Sequence, residues 1–133
     1  MDHLVTLDSG ENEIEKLING DKSMIVHGAN VKCTPYGIVS KGDVLYFVND
    51  SRPAEIKAKG RVSSVYNSCR MTYEESFALV IRNQHKLCLP DKLFYKWAGK
   101  RYIVLIEMDE VREVQPFRID FKSPVASGSW CPI

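Results

Sequence analysis

The sequence predicts an α+β fold: a small mixed β-barrel with a short N-terminal helix and two helices inserted before a last long strand. Three observations predict it. An early helical period gives way to short β-branched runs; the strongest helical pattern comes only after residue 70; and a run apolar on both faces, Tyr102 to Met108, follows. Short strands of uneven length bracketed by helices suit a small mixed barrel rather than βαβ units.

The elements follow in order. "LVTL" (4–7) reads as a short strand. Asp8 and Glu11 have the spacing of a capping box, Ile14, Leu17 and Ile18 recur at helical intervals, and Gly20 falls where a helix takes a left-handed cap. The spacing predicts a helix over about 10–19, whose end delivers Lys22. "SMIVH" is strand-like. The segment 29–42, with Pro35, Gly37 and Gly42, reads as an ordered loop or irregular strand, and "DVLYFVN" (43–49) as a strand bounded by turns.

In "AEIKAKGRVSSVYNS" the residues Ile56, Ala58, Gly60, Val62 and Ser64 face one way. Lys57, Lys59, Arg61 and Ser63 face the other, so a long strand with a basic outer face is expected, bent at Gly60. "MTYEESFALVIRNQHK" is the best helix, with Thr72 and Glu75 as a capping box and Phe77, Val80 and Ile81 marking its inner face. "PDKLFYKWAGK" predicts a second helix, opened by Pro90, turned inward through Leu93, Phe94 and Trp97, and stopped by Gly99. "RYIVLIEMDEVREVQPFRI" is the last long strand. The rest of the chain shows no strand or helix period, so 121–133 reads as a tail of a single 1–133 domain, with Trp130 as a plug on the core.

At 133 residues the chain can build one hydrophobic core without staples. No apolar run approaches the ~20 residues of a membrane span, and the start lacks the pattern of a signal peptide, which predicts a cytoplasmic protein. Cys33, Cys69, Cys88 and Cys131 include no C-x-x-C pair, and His3, His27 and His85 supply no H-x₃₋₅-H partner. Reduced structural thiols, no metal and no cofactor are therefore expected. Charge is uneven: residues 51–101 carry eleven Lys and Arg against four acids, a net of +7, inside a chain whose total is +1. Such a basic middle is a polyanion footprint or the solvated outer face of helices.

"EIEKLINGDKSMIVHG", "KGDVLYFV" and "KRYIVLIEM" together resemble the ASCH domains of the PUA-like superfamily, and EVE-type domains are related. The resemblance covers about residues 11–117 in element order. The family pattern is G-x-K-x-x-E-x-R; Gly20 and Lys22 match it, while Ile25 stands at the acid and His27 at the arginine. The resemblance implies a cleft beside the barrel that receives RNA, a nucleotide or a modified base, with Lys22 at its rim and His27 within reach. A lysine ammonium on a flexible stem suits a phosphate.

Tyr36, in a Pro-Gly loop, is the aromatic residue expected to stack a base; Lys57, Lys59 and Arg61, with Arg101 at the start of the late strand, are expected to follow a nucleic-acid backbone. The resemblance also implies an enzyme reading, since some ASCH proteins are similar to small amidohydrolases acting on acylated cytidine through a lysine, a hydroxyl and a carboxylate. Lys22 would be the lysine and Glu74 or Glu75 the carboxylate. A protein-interaction adaptor is the third reading.

Overall fold

The computed structural model describes residues 1–50, 55–118 and 130–133. Strand β1 (Asp2–Leu7) leads through a 3-10 turn (Ser9–Glu11) to helix α1 (Glu13–Asn19), then to β2 (Met24–Ala29), β3 (Val44–Asn49) and β4 (Glu55–Asn67). Helices α2 (Tyr73–Arg82), α3 (Gln84–Leu87) and α4 (Asp91–Trp97) follow, then β5 (Tyr102–Arg118) and β6 (Trp130–Pro132). The strands form one curled sheet in the order β2-β5-β4-β3-β1-β6, so the expected α+β barrel-like fold is present. β1 runs parallel to β3; the other neighbours are antiparallel.

The alternation of β5 explains why it is apolar on both faces. Val104 and Ile106 point into the curl, where they meet Val5, Leu45, Phe47, Ala58 and Val62, with Ile14 and Leu17 of α1 as the plug. Ile103 and Leu105 point the other way, onto Leu79, Val80, Leu87 and Leu93 of the three later helices. Each such aliphatic side chain taken out of water contributes about 1.5–3 kcal/mol, and β5 contributes to both cores at once.

Four local expectations change. The first helix begins at Glu13 because Asn12, at φ 54°, breaks the path from the 3-10 turn; Asp8 caps that turn by accepting from Gly10 N at 2.9 Å instead of closing a box with Glu11. Gly20 does supply the left-handed cap, at φ 89°. The long second pattern is two helices, making three before β5 instead of two. Asn83 ends α2, its side-chain amide donating to Leu79 O at 2.9 Å and its backbone N–H to Val80 O at 3.1 Å. The buried face of α2 is Ser76, Leu79 and Val80, and Ile81 lies outside at 59% exposure. The capping box of Thr72 and Glu75 forms in both directions.

The third and fourth changes concern β4 and the chain's end. Ile56, Ala58, Gly60 and Val62 are buried as expected, but a register shift between Val62 and Ser64 turns Ser64 outward. Another shift falls between Lys59 and Arg61, at the Gly60 bend. Trp130–Pro132, read as tail, forms β6 against β1, with Val5 opposite Trp130 and His3 opposite Pro132. The rest of the 121–133 segment lies outside the described residues. The four cysteines are unpaired, and Cys33, Cys69 and Cys131 are exposed instead of structural. No described helix is long and apolar enough to cross a membrane.

Candidate active site

Lys22 is not a rim cation. Gly20 reverses the chain after α1, the Lys22 backbone N–H returns to Lys16 O at 3.1 Å, and the side chain runs inward, leaving 2% exposed. Its ammonium donates to Leu87 O at the end of α3, where unpaired helix carbonyls concentrate negative potential. It also lies 3.4 Å from Glu13 Oε1, on the first turn of α1. Glu13 is 3% exposed, and its Oε2 has no hydrogen-bond partner, with Lys16 Nζ 3.6 Å away.

The electrostatics follow from burial. Loss of solvent pushes the Glu13 carboxyl above its ordinary value, against the attraction of Lys22 and Lys16. The same loss pulls Lys22 below the ordinary lysine range, opposed mainly by Glu13. Both shifts favour the uncharged partners, so this buried pair can exchange a proton internally.

Lys22 and Glu13 line a cavity of about 40 Å³ with Thr6, Leu7, Asp8, Ile25, His27, Leu89, Leu93, Trp97 and Trp130. His27 comes from β2, two positions beyond Ile25, and its ring lies 5.0 Å from that of Trp97 at 40°. Burial first, and then Lys96, holds its imidazole below the ordinary histidine value. The space matches one water or a small acyl group and is too small for a whole nucleoside.

Of the expected site residues, the fold brings Lys22 and His27 together. It does not bring the others. Tyr36 is half-buried elsewhere: its hydroxyl donates to Ser68 O and its ring meets Tyr102 edge-on at 5.7 Å. Alternation on β4 sends Lys57, Lys59 and Arg61 to the outer face of the sheet, away from the cavity-lining set. Glu74 is exposed on the first turn of α2 and also absent from that set; Glu75 is used by the Thr72 cap. The carboxylate that meets Lys22 is Glu13.

Glu13 was missed because an acid in a first helical turn reads as a solvated dipole partner. The available signal was its position four residues before Leu17, at the margin of the apolar stripe. Thr6 supplies a hydroxyl-bearing side chain to the cavity lining. Among the described residues, no group of three or more His, Cys, Asp or Glu could hold a metal ion.

Arg101 belongs to a different and open concavity. Arg70, Thr72, Tyr73, Glu75, Tyr95, Lys100 and Arg101 are among its walls, and it encloses about 1090 Å³. Tyr73 and Tyr95 are 62% and 69% exposed there.

No protein-family model and no curated protein sequence matches the chain. Solved structures do. The ASCH protein of Zymomonas mobilis superimposes with a TM-score of 0.69 at 10% identity, covering 98% of this chain and 87% of that one. Two substituted forms of the same protein give TM-scores of 0.68 and 0.69 at 9% and 10% identity, again over 98% of this chain and over 88% and 90% of theirs. Near-complete coverage with so few shared residues is a likeness of backbone: this chain has the fold of the ASCH structures on which it superimposes.

Proposed function

We propose that this protein is a small amidohydrolase that removes a short acyl group from the exocyclic amine of a modified pyrimidine nucleoside such as N4-acetylcytidine. The observation that carries this reading is the desolvated Lys22–Glu13 pair lining a cavity of acyl size together with Trp97 and Trp130. A cation meant only to hold a phosphate would gain from solvent access, whereas Lys22 is 2% exposed.

The chemistry uses groups already in contact. The uncharged Lys22 amine takes a proton from a water molecule as its oxygen bonds to the acyl carbonyl carbon. The resulting tetrahedral adduct breaks its carbon–nitrogen bond as the protonated Glu13 delivers a proton to the departing amine. The products are the free nucleoside and a carboxylic acid, and transfer of the proton taken up by Lys22 to the Glu13 carboxylate returns the pair to its starting state. His27 and Thr6 border the same space and are suited to hydrogen-bonding the carbonyl oxygen or the base.

Incubation with N4-acetylcytidine is expected to release acetate and cytidine, and Lys22→Met or Glu13→Gln to abolish the release. Absence of turnover in the wild-type protein overturns the reading.

A second reading is RNA binding, and the open concavity favours it over the sites named from sequence. Arg70, Lys100 and Arg101 face the same hollow as two exposed tyrosines, a combination suited to phosphates and unpaired bases. Affinity for a single-stranded RNA should then fall steeply with salt and drop in Lys100→Ala/Arg101→Ala, but not in Lys57→Ala/Lys59→Ala. Equal losses in both pairs would place the contact on the outer sheet face.

A further inference from the structure

Trp130 forms one wall of the Lys22 cavity, and behind it stands a buried pair that the proposed chemistry does not use. His3, fully buried on β1, lies with its Nδ1 3.1 Å from the Trp130 indole nitrogen. Its Nε2 lies 2.9 Å from Asp43 Oδ2. The same Asp43 oxygen accepts from Ser40 N at 2.9 Å, and the other carboxylate oxygen is 3.2 Å from the Met1 amine.

The roles in this chain are fixed by what each group can do. An indole N–H only donates, so His3 Nδ1 must accept. A neutral imidazole that accepts at Nδ1 carries its proton at Nε2, and that proton points at Asp43. Burial opposes ionisation of Asp43, but the hydrogen bonds from His3 and Ser40 and the Met1 amine outweigh it and hold the carboxyl below its ordinary value. It remains an acceptor at neutral pH.

We infer that His3 and Asp43 are positioning residues: Asp43 selects the histidine tautomer, and His3 then anchors the Trp130 indole as a fixed wall of the cavity. The geometry explains why so much polar burial is kept beside a short strand. Among the described residues β6 holds three register pairs with β1, beginning at Trp130. Three backbone positions place the residue; the hydrogen bond sets the ring. The functional consequence rests on the proposed use of the cavity, whereas the tautomer and the anchoring do not.

The experiment therefore has two independent arms. In the wild-type protein, long-range ¹H–¹⁵N correlation should show His3 protonated at Nε2 and bare at Nδ1; a proton on Nδ1 overturns the inference without any variant. The Trp130 indole proton, assigned with Trp97→Phe, should resonate downfield and exchange slowly. In Asp43→Asn the new amide can donate to Nε2, moving the histidine proton to Nδ1, where it opposes the indole. The indole signal should then move upfield, exchange faster and become quenchable by acrylamide. His3→Leu should do the same, and His3→Gln, which keeps an acceptor, should restore much of the shift.

With N4-acetylcytidine as probe, Asp43→Asn should raise KM about tenfold or more with little change in kcat, as expected for a displaced wall. An unchanged indole signal in Asp43→Asn and His3→Leu overturns the anchoring. A released indole with unchanged KM overturns its part in the site. If wild type does not turn the probe over, the hydrolase reading fails, while the tautomer and indole measurements still decide the anchoring.

Discussion

Lys22 Nζ and Glu13 Oε1 lie 3.4 Å apart with both side chains almost wholly withdrawn from water. A pair in this position is costly to assemble and more costly to halve. Lys22→Met should therefore destabilise the protein by about 1–3 kcal/mol, since it leaves the buried Glu13 with only Lys16 beside it. The double variant Lys22→Met/Glu13→Leu should recover much of that loss. Urea unfolding of the two singles and the double forms a cycle that reads the coupling; additive losses would mean that the two groups do not interact.

Stability should depend on pH through Glu13 with a definite sign. Its folded carboxyl holds a proton above the ordinary value of 4.5, chiefly because burial disfavours the charge. The folded state thus binds more protons than the unfolded chain in that window, and stability contributed below pH 4.5 is lost as pH rises through the folded value. Subtracting Glu13→Gln unfolding energies from those of wild type at each pH should give a falling curve. A rising one contradicts the assignment.

His27 should show the opposite slope. Burial, then Lys96, lowers its imidazole from the ordinary 6.5, so the unfolded chain takes up the proton first as the medium acidifies. The contribution is complete above pH 6.5 and drains as pH falls through the folded value. His27→Gln should flatten this part of the profile, and an NMR titration of the ring should show the lowered midpoint directly.

Much of the fold was legible because its signals are local. The Thr72 box, the Gly20 cap and the alternation from Ile56 to Val62 each depend on residues a few positions apart. The site was less legible because its parts meet only in three dimensions. Lys22 could be singled out from the Gly-x-Lys turn, yet the direction of its side chain depends on Leu87 O, 65 residues later. Lys57, Lys59 and Arg61 were rightly placed on one face of a strand, but alternation does not say which concavity that face serves. Nothing in a Gly/Ser-rich end marks Trp130 as a strand residue; its partner His3 is 127 positions away.

Thr72→Ala should cost about 1 kcal/mol by removing the side chain that accepts from Glu75 N. The loss should appear as a lower midpoint in thermal unfolding, and acetate release per folded molecule should be unchanged, since neither Thr72 nor Glu75 borders the Lys22 cavity.

Gly28→Ala should act closer to the site. A Cβ there would come within 2.7 Å of Trp97 O and 3.0 Å of Ile103 Cδ1, closer than packed carbons tolerate. The end of α4 must shift to admit it, at about 1–3 kcal/mol, taking the Trp97 indole with it. Calorimetry should report the lower stability, and the emission of Trp97, read in a Trp130→Phe background, should change. An unaltered spectrum would mean that the ring is placed independently of this contact.

The parallel pairing of β1 with β3 and the seam between β1 and β6 also bear on how the molecule comes into being. During synthesis the strand bearing His3 is made well before its outer neighbour, which follows more than a hundred residues later. The curled sheet can gather early around β3, β4 and β5, while the pocket lacks one of its walls until β6 arrives. A nascent chain interrupted before residue 130 would bring its lysine and glutamate together and yet lack the indole that lines the cavity beside them.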